Sequence, residues 1–221
     1  MAAETPPPPP PPSRSIIGHL VDLDTAWSLR LHTIAAPIIP HAALKLLELS
    51  GDGRFWFPVS ISLFLSPLSL HSLHLYRTFL CLLLGSLLDL VLIGLIKHLI
   101  RRPRPVYNKG MHLTLSVDHW SFPSGHSSRV CFIAAFFYLS ISEIVEGIEQ
   151  LKLRKGEFVE RWIGDCDTGK VVNVFVLAVW IWSMFTSASR VLLGRHFVFD
   201  IVVGACLGVI EALFVYHFFK F

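Results

Sequence analysis

The stretch VVNVFVLAVWIWSMFTSAS, Val171 to Ser189, contains no charged residue and decides the class of fold. As a helix it rises roughly 28 Å, close to the thickness of a bilayer's hydrocarbon core. It lacks the period-two alternation of a barrel strand. It therefore reads as a spanning helix, the form in which backbone N–H and C=O groups satisfy one another without water. Charge resumes at once, at Arg190.

Five more apolar segments surround it, at about Ala26–Leu49, Phe55–Tyr76, Thr78–Ile96, Ser127–Ser142 and Phe197–Phe219. The first is the least regular, interrupted by Arg30, His32, Pro37, Pro40, His41 and Lys45. The expected fold is all-α, a polytopic membrane protein built as a six-transmembrane-helix bundle, with one membrane-embedded domain over residues 24–221. Residues 1–23 are expected to be a disordered tail. Its seven consecutive prolines, Pro6 to Pro12, cannot form the apolar helix of a secretory signal and favour extended polyproline structure. A passive tail and a ligand for proline-binding domains both fit that run.

Composition agrees with the bundle. Hydrophobic residues make up 53% of the 221-residue chain, too many for an ordinary soluble domain. The net charge of +3 is not gathered into one tract, which argues against a nucleic-acid partner. Cys81, Cys131, Cys166 and Cys206 are scattered without a C-x-x-C pair, so packing is their simplest role.

Chemistry concentrates in three blocks, each at the end of an apolar run. Lys97 and Arg104-Pro105 follow the third segment, Pro123-Ser124-Gly125-His126 opens the fourth, and Ser189-Arg190 with His196 and Asp200 joins the fifth to the sixth. The loop from Val106 to Phe122 links the first two blocks on one side of the membrane. Two further spans bring the third block back to that side. All three can meet on one face.

Each block has a plain reading and a chemical one. Lys97 and Arg104 either anchor a helix end in headgroups or grip phosphoryl oxygens, the guanidinium bidentately. Pro103 and Pro105 should stop the helix and leave Arg104 on an extended stub. Ser124 either simply caps a helix or, with Gly125, lets backbone N–H groups approach an anion at the positive end of the dipole. His126 would stand beside that anion, placed to deliver a proton. His196 and Asp200, spaced i, i+4, share one helix face, so the carboxylate can fix the imidazole tautomer and leave the other nitrogen nucleophilic. H-x-x-x-D also suits a metal, but a cage of Lys97, Arg104 and Arg190 would repel a divalent cation.

In this order K-x6-R-P, P-S-G-H and S-R-x5-H-x3-D resemble the three signature motifs of the type 2 phosphatidic acid phosphatase superfamily. The resemblance implies a phosphatase with no cofactor and no metal, acting on lipid phosphates. It assigns His196 as the residue that becomes phosphohistidine, Asp200 as its orienter and His126 as the acid. Lys97, Arg104, Ser124, Gly125 and Arg190 would bind phosphate. Finer similarity, in Leu113 to Asp118, in Ser121 to Arg129 and in Leu193-Gly194-Arg195-His196, is to the presqualene diphosphate phosphatase branch, which implies isoprenoid diphosphates and the endoplasmic reticulum. The alternatives are a catalytically silent scaffold or lipid-binding protein that keeps the fold, and a haloperoxidase with a similar anion cage, which would need a soluble chain. Homo-oligomerisation is left open.

The loop from Glu143 to Lys170 carries five basic residues and by the positive-inside rule belongs in the cytosol, which places the three blocks on the lumenal side. Within it, Ile144, Ile148 and Leu151 alternate with Glu146, Glu149 and Lys152 at helical spacing, as in a helix on the membrane surface. Asp89 and Glu211 fall inside apolar segments, where each needs a partner or a proton.

Overall fold

Polar residues and prolines mark the helix boundaries. Helix α1 (Ile16–Ala35) starts behind Ser15, whose Oγ accepts the Gly18 N–H, and stops short of Pro37 and Pro40. Helix α2 (His41–Ser50) follows Pro40. Asp52 caps α3 (Gly53–Phe64), and Ser66 caps the short α4 (Pro67–His71). Helix α5 (Leu73–Ile100) ends where Arg101 turns left-handed at φ 51°, ahead of Pro103 and Pro105, which cannot continue it. Ser124 caps α6 (Gly125–Leu139), after which come α7 (Ile141–Ile163), the Asp167-capped α8 (Thr168–Leu192) and α9 (Val198–Phe218). The computed structural model describes residues 15–107, 119–163 and 166–219. The polyproline run lies outside them. Residues 16–23, assigned to the tail by sequence, belong to α1.

Among the described residues three helices, α5, α8 and α9, are long and apolar enough to cross a membrane, and α6 with α7 makes a fourth candidate bent by 63°. The chain is thus a multi-pass membrane protein. The expected first and second spans are divided: prolines split one into α1 and α2, and Ser66-Pro67 splits the other into α3 and α4. Helix α1 also carries Asp22, Asp24 and Arg30, and the 12 residues of α3 are too few to span alone. The amphipathic segment becomes α7, whose Ile144 and Leu151 are buried in the bundle core, with Ile148 packed against it. Its apolar stripe therefore meets α5 and α8.

Helix α6 is the axis of the bundle, with every residue from Ser127 to Phe137 buried. It lies directly against α9 through Gly204 and Gly208, a small-x-x-x-small pair that lets two backbones touch. A Cβ at Gly204 would strike the Ser124 carbonyl, and one at Gly208 would strike the carbonyl of Ser128. Hydrogen bonds fix the register: Ser124 N–H donates to the Asp200 carbonyl at 2.9 Å and Ser127 Oγ to the Ile201 carbonyl at 2.9 Å. The second and third sequence blocks are joined by this contact. Asp89 finds its partner in Arg129, with Oδ2 and Nη2 3.4 Å apart, and Glu211 lies buried nearby on α9.

Candidate active site

The C-terminal ends of α5 and α8 and the N-terminal ends of α6 and α9 meet at one end of the bundle, roofed by α1 and α2. Beyond Ile100 the chain leaves the helix as the stub 101–105, which pairs with 119–121 through the Ser121 N–H to Arg102 carbonyl bond of 2.8 Å. Lys97, nearly buried, donates to the Trp120 carbonyl at 2.6 Å. Arg104 reaches across the stub, its Nη1 2.8 Å from the Arg195 carbonyl and 3.3 Å from His196 Nε2.

His196 sits in the turn between α8 and α9 and is 2% exposed. Its Nδ1 is 2.8 Å from the Ser121 carbonyl. A carbonyl only accepts, so Nδ1 carries the hydrogen and the Nε2 lone pair faces Arg104. Burial, followed by the positive charges of Arg104, Arg190 and Lys97, holds the imidazole well below its ordinary value and keeps it neutral at pH 7. Asp200 is placed differently from the sequence reading. Its Oδ2 is 3.6 Å from His196 Nδ1, while the same carboxylate accepts the Phe197 N–H at 2.9 Å and Arg102 Nη1 at 2.7 Å. The reason is local: i, i+4 spacing sets Asp200 in the first turn of α9, where an unpaired backbone donor claims it.

The other predicted residues are brought to the same end. Ser124 Oγ is 3.4 Å from the Ser127 N–H, the geometry of a helix cap, and Gly125 packs under Ile93. His126, in the first turn of α6, puts Nε2 3.1 Å from the backbone carbonyl of Glu48. Arg190, 1% exposed, pairs through Nη1 with the Glu48 carboxylate at 2.7 Å. Ser189 Oγ turns back to the Thr186 carbonyl at 2.6 Å.

Sequence reading missed four participants: Glu48, Arg195, Arg102 and Asp24. Glu48 touches the site twice, by its backbone at His126 and by Oε1 at both Arg190 and Arg195, the latter 3.3 Å away. Burial opposes its charge, but Arg190, Lys45 and Arg195 outweigh that and hold the group at about 2. An anion already lies against the cationic wall. The available signal was the lone acid of the Ala26–Leu49 segment, at the edge of Ser50-Gly51-Asp52. Arg102 bridges Asp200 and Asp24, 2.7 Å from each. Nothing in local spacing ties Asp24 to that pair.

This is a buried cluster of cations around a neutral histidine, built on helix ends in a membrane bundle. The PAP2 superfamily model matches residues 78–221, and the chain belongs to that superfamily. It is a membrane phosphatase, a hydrolase. Over 210 residues it is 43% identical to the probable lipid phosphate phosphatase beta of Arabidopsis thaliana, covering 93% of this chain and 92% of that protein. The crystal structure of a transmembrane PAP2-type phosphatidylglycerolphosphate phosphatase from Bacillus subtilis shares the fold, with a TM-score of 0.67 at 21% identity over 90% of this chain and 86% of that one. Aquifex aeolicus LpxE is similar at a TM-score of 0.54 and 20% identity, over 86% of this chain and 94% of that one.

Proposed function

We propose that the protein hydrolyses lipid phosphates through a phosphohistidine on His196, without a metal. One observation carries this reading: the Nε2 lone pair of a neutral, buried His196 faces Arg104, with its Nδ1 hydrogen committed to Ser121. The substrate phosphoryl group would sit between Nε2 and the guanidinium. Lys97, Arg104 and Arg190 supply the charge stabilisation that a divalent ion supplies in other phosphatases, with Ser124 and Gly125 at the phosphate's edge. In the first step Nε2 attacks phosphorus, the P–O bond to the lipid breaks, and His126 donates a proton to the departing oxygen. In the second, His126 takes a proton from water, whose oxygen attacks the phosphohistidine, breaks the P–N bond and releases inorganic phosphate. To reach the leaving oxygen, His126 exchanges its contact with the Glu48 carbonyl for one with the substrate.

The substrate class follows from two considerations. The site lies at helix ends, at headgroup depth, where lipid phosphates present themselves. The similarity in Ser121–Arg129 and Leu193–His196 favours isoprenoid diphosphates over phosphatidate; the matching Leu113–Asp118 segment lies outside the described residues. The basic residues of the Glu143–Lys170 segment support a cytosolic position for that loop and a lumenal site, in the endoplasmic reticulum. In sealed microsomes, protease should then clip a tag in that loop and spare the Val106–Phe122 loop until detergent is added; the reverse pattern overturns the orientation.

The test of function is a substrate panel on the full-length protein in detergent micelles. Isoprenoid diphosphate should be hydrolysed with higher kcat/KM than phosphatidate, in excess EDTA, with vanadate inhibiting and His196→Ala inactive. Activity lost on chelation and restored by magnesium or zinc refutes the metal-free mechanism. A chain inert toward the whole panel, while it still binds these lipids, refutes the enzyme.

A further inference from the structure

Helix α1 turns one polar stripe toward the bundle: Asp24, Ser28 and His32, spaced i, i+4, i+8. Asp24 and Ser28 are buried, while neighbours such as Leu20, Leu23, Trp27 and Leu31 are exposed. All three point at the turn that holds His196. His32 Nδ1 is 2.7 Å from the Leu192 carbonyl at the end of α8. Ser28 Oγ accepts the Val198 N–H at 3.0 Å and Asp24 Oδ1 accepts the Phe199 N–H at 3.0 Å. With Phe197 N–H already taken by Asp200, three successive donors at the start of α9 are capped by side chains, two of them from another helix.

The second half of the contact is electrostatic. The other Asp24 oxygen holds Arg102 Nη2 at 2.7 Å, and Nη1 of the same guanidinium holds Asp200 at 2.7 Å. Arg102 also lies over the Phe197 ring, 4.1 Å from its centroid, so the bridge is clamped against the residue that follows His196. One cation between two buried carboxylates needs both to stay in place. If Asp24 lost its charge, Arg102 would be free to swing, and Asp200 would turn from the α9 terminus toward the imidazole 3.6 Å away. His196 Nδ1 would then have two acceptors competing for one hydrogen.

We propose that Asp24 and Arg102 are positioning residues: acting through Asp200, they hold the His196 turn so that Nδ1 stays on the Ser121 carbonyl and Nε2 stays on line for attack. Helix α1 thereby becomes part of the catalytic apparatus, although it lies outside residues 78–221 matched by the superfamily model. The inference rests on the reading of His196 as nucleophile.

The experiment uses the full-length protein in micelles and measures kcat and KM separately. Asp24→Asn and Arg102→Ala should each lower kcat on the order of 100-fold, the cost of misaligning a reacting group by about an ångström, with KM within about twofold. The double variant should be no worse than the weaker single one, because both break one bridge. Arg102 is 17% exposed in its side chain, so millimolar guanidinium ion should restore part of the kcat of Arg102→Ala and none of that of Asp24→Asn. Thr25→Val, an exposed change on the same helix, should leave kcat unaltered. Losses in Asp24→Asn that appear in KM alone, additive losses in the double variant, or absence of guanidinium rescue in a folded Arg102→Ala would each overturn the proposal. If His196→Ala keeps its activity, the nucleophile reading fails instead. If His196→Ala is inert and Asp24→Asn turns over normally, only the positioning role fails.

Discussion

The Asp200 carboxylate stops 3.6 Å short of His196 Nδ1. The Ser121 carbonyl, at 2.8 Å, is the nearer acceptor for the Nδ1 hydrogen, and the same Asp200 carboxylate accepts the Phe197 N–H at the start of α9.

Asp200→Asn should therefore be milder than the loss of the aspartate in a serine-protease triad. There the wrong tautomer costs about 10⁴ in rate. Here a backbone carbonyl still demands the Nδ1 hydrogen, and a drop in kcat of about 10- to 100-fold is expected, the range seen when an outer-shell partner is lost. Rapid-quench measurement of phosphoenzyme in Asp200→Asn and His196→Ala checks this: slow formation in the first, none in the second. A 10⁴-fold loss in Asp200→Asn would return the orienting role to the carboxylate.

Glu48 is paired with Arg190 and Arg195, so on the proposed reading it competes with phosphate for Arg190. Held at about 2, it is ionised throughout the pH range in which the enzyme can be assayed. Glu48→Gln removes one negative charge against the anion subsite, and vanadate inhibition should tighten by about tenfold, a fraction of the ~4 kcal/mol that two charges 4 Å apart exchange at an effective dielectric of 20. Weaker vanadate binding in this variant would mean that Glu48 instead holds Arg190 in its working position.

The His196 imidazole is held below its ordinary value, so protonation is postponed to lower pH in the folded protein. Above the unfolded value of about 6.5 the residue costs no stability, and below it the unfolded chain binds a proton that the folded one refuses. Stability falls as pH drops through that window. For activity, Lys97→Met removes one of the cations responsible, and the acid limb of kcat/KM should move to higher pH than in the parent protein. Comparing the two profiles on one substrate cancels the titration of the substrate phosphate. An unmoved limb would show that Lys97 does not act on His196.

Gly208→Ala tests the contact that joins the second and third motif blocks. In an exposed helix the change gains up to about 1 kcal/mol from propensity. Here the new methyl meets the Ser128 carbonyl and the Phe132 N, so a net loss of about 1–3 kcal/mol is expected, read as a lower midpoint of thermal unfolding in detergent. Activity should fall with it, because Ser124 and Asp200 are tied across the same seam. An unchanged or higher midpoint would refute the close approach.

Much of this protein is legible without coordinates. Long apolar runs at Thr78–Ile96, Val171–Ser189 and Phe197–Phe219 announce α5, α8 and α9, because a bilayer leaves such a run few alternatives to a helix. Pro103 and Pro105 announce the end of α5, because a ring in place of an N–H stops the ladder. Motif order and the count of crossings bring Lys97, Arg104, His126, Arg190, His196 and Asp200 to one end. Those are consequences of composition and of short-range spacing, which every chain displays in its one-dimensional order. The two N-terminal segments are less legible because prolines and charges contest their hydrophobicity, and the bundle divides them into α1–α4.

What only the tertiary structure decided is who holds whom inside the site. His196 is fixed by a carbonyl 75 positions earlier in the chain, and α9 is capped by Asp24 from 175 positions away. Ser121 acts through its backbone, which is identical for every residue and carries no signal in a sequence. Asp24, Ser28 and Glu48 look like ordinary polar interruptions until packing turns them toward α9, Arg102 and Arg190. Residue types and spacing determine that cations and two histidines gather at one end of the bundle; the packing of α1, α2 and the 101–105 stub there determines that Nδ1 of His196 meets the Ser121 carbonyl and Nε2 faces Arg104.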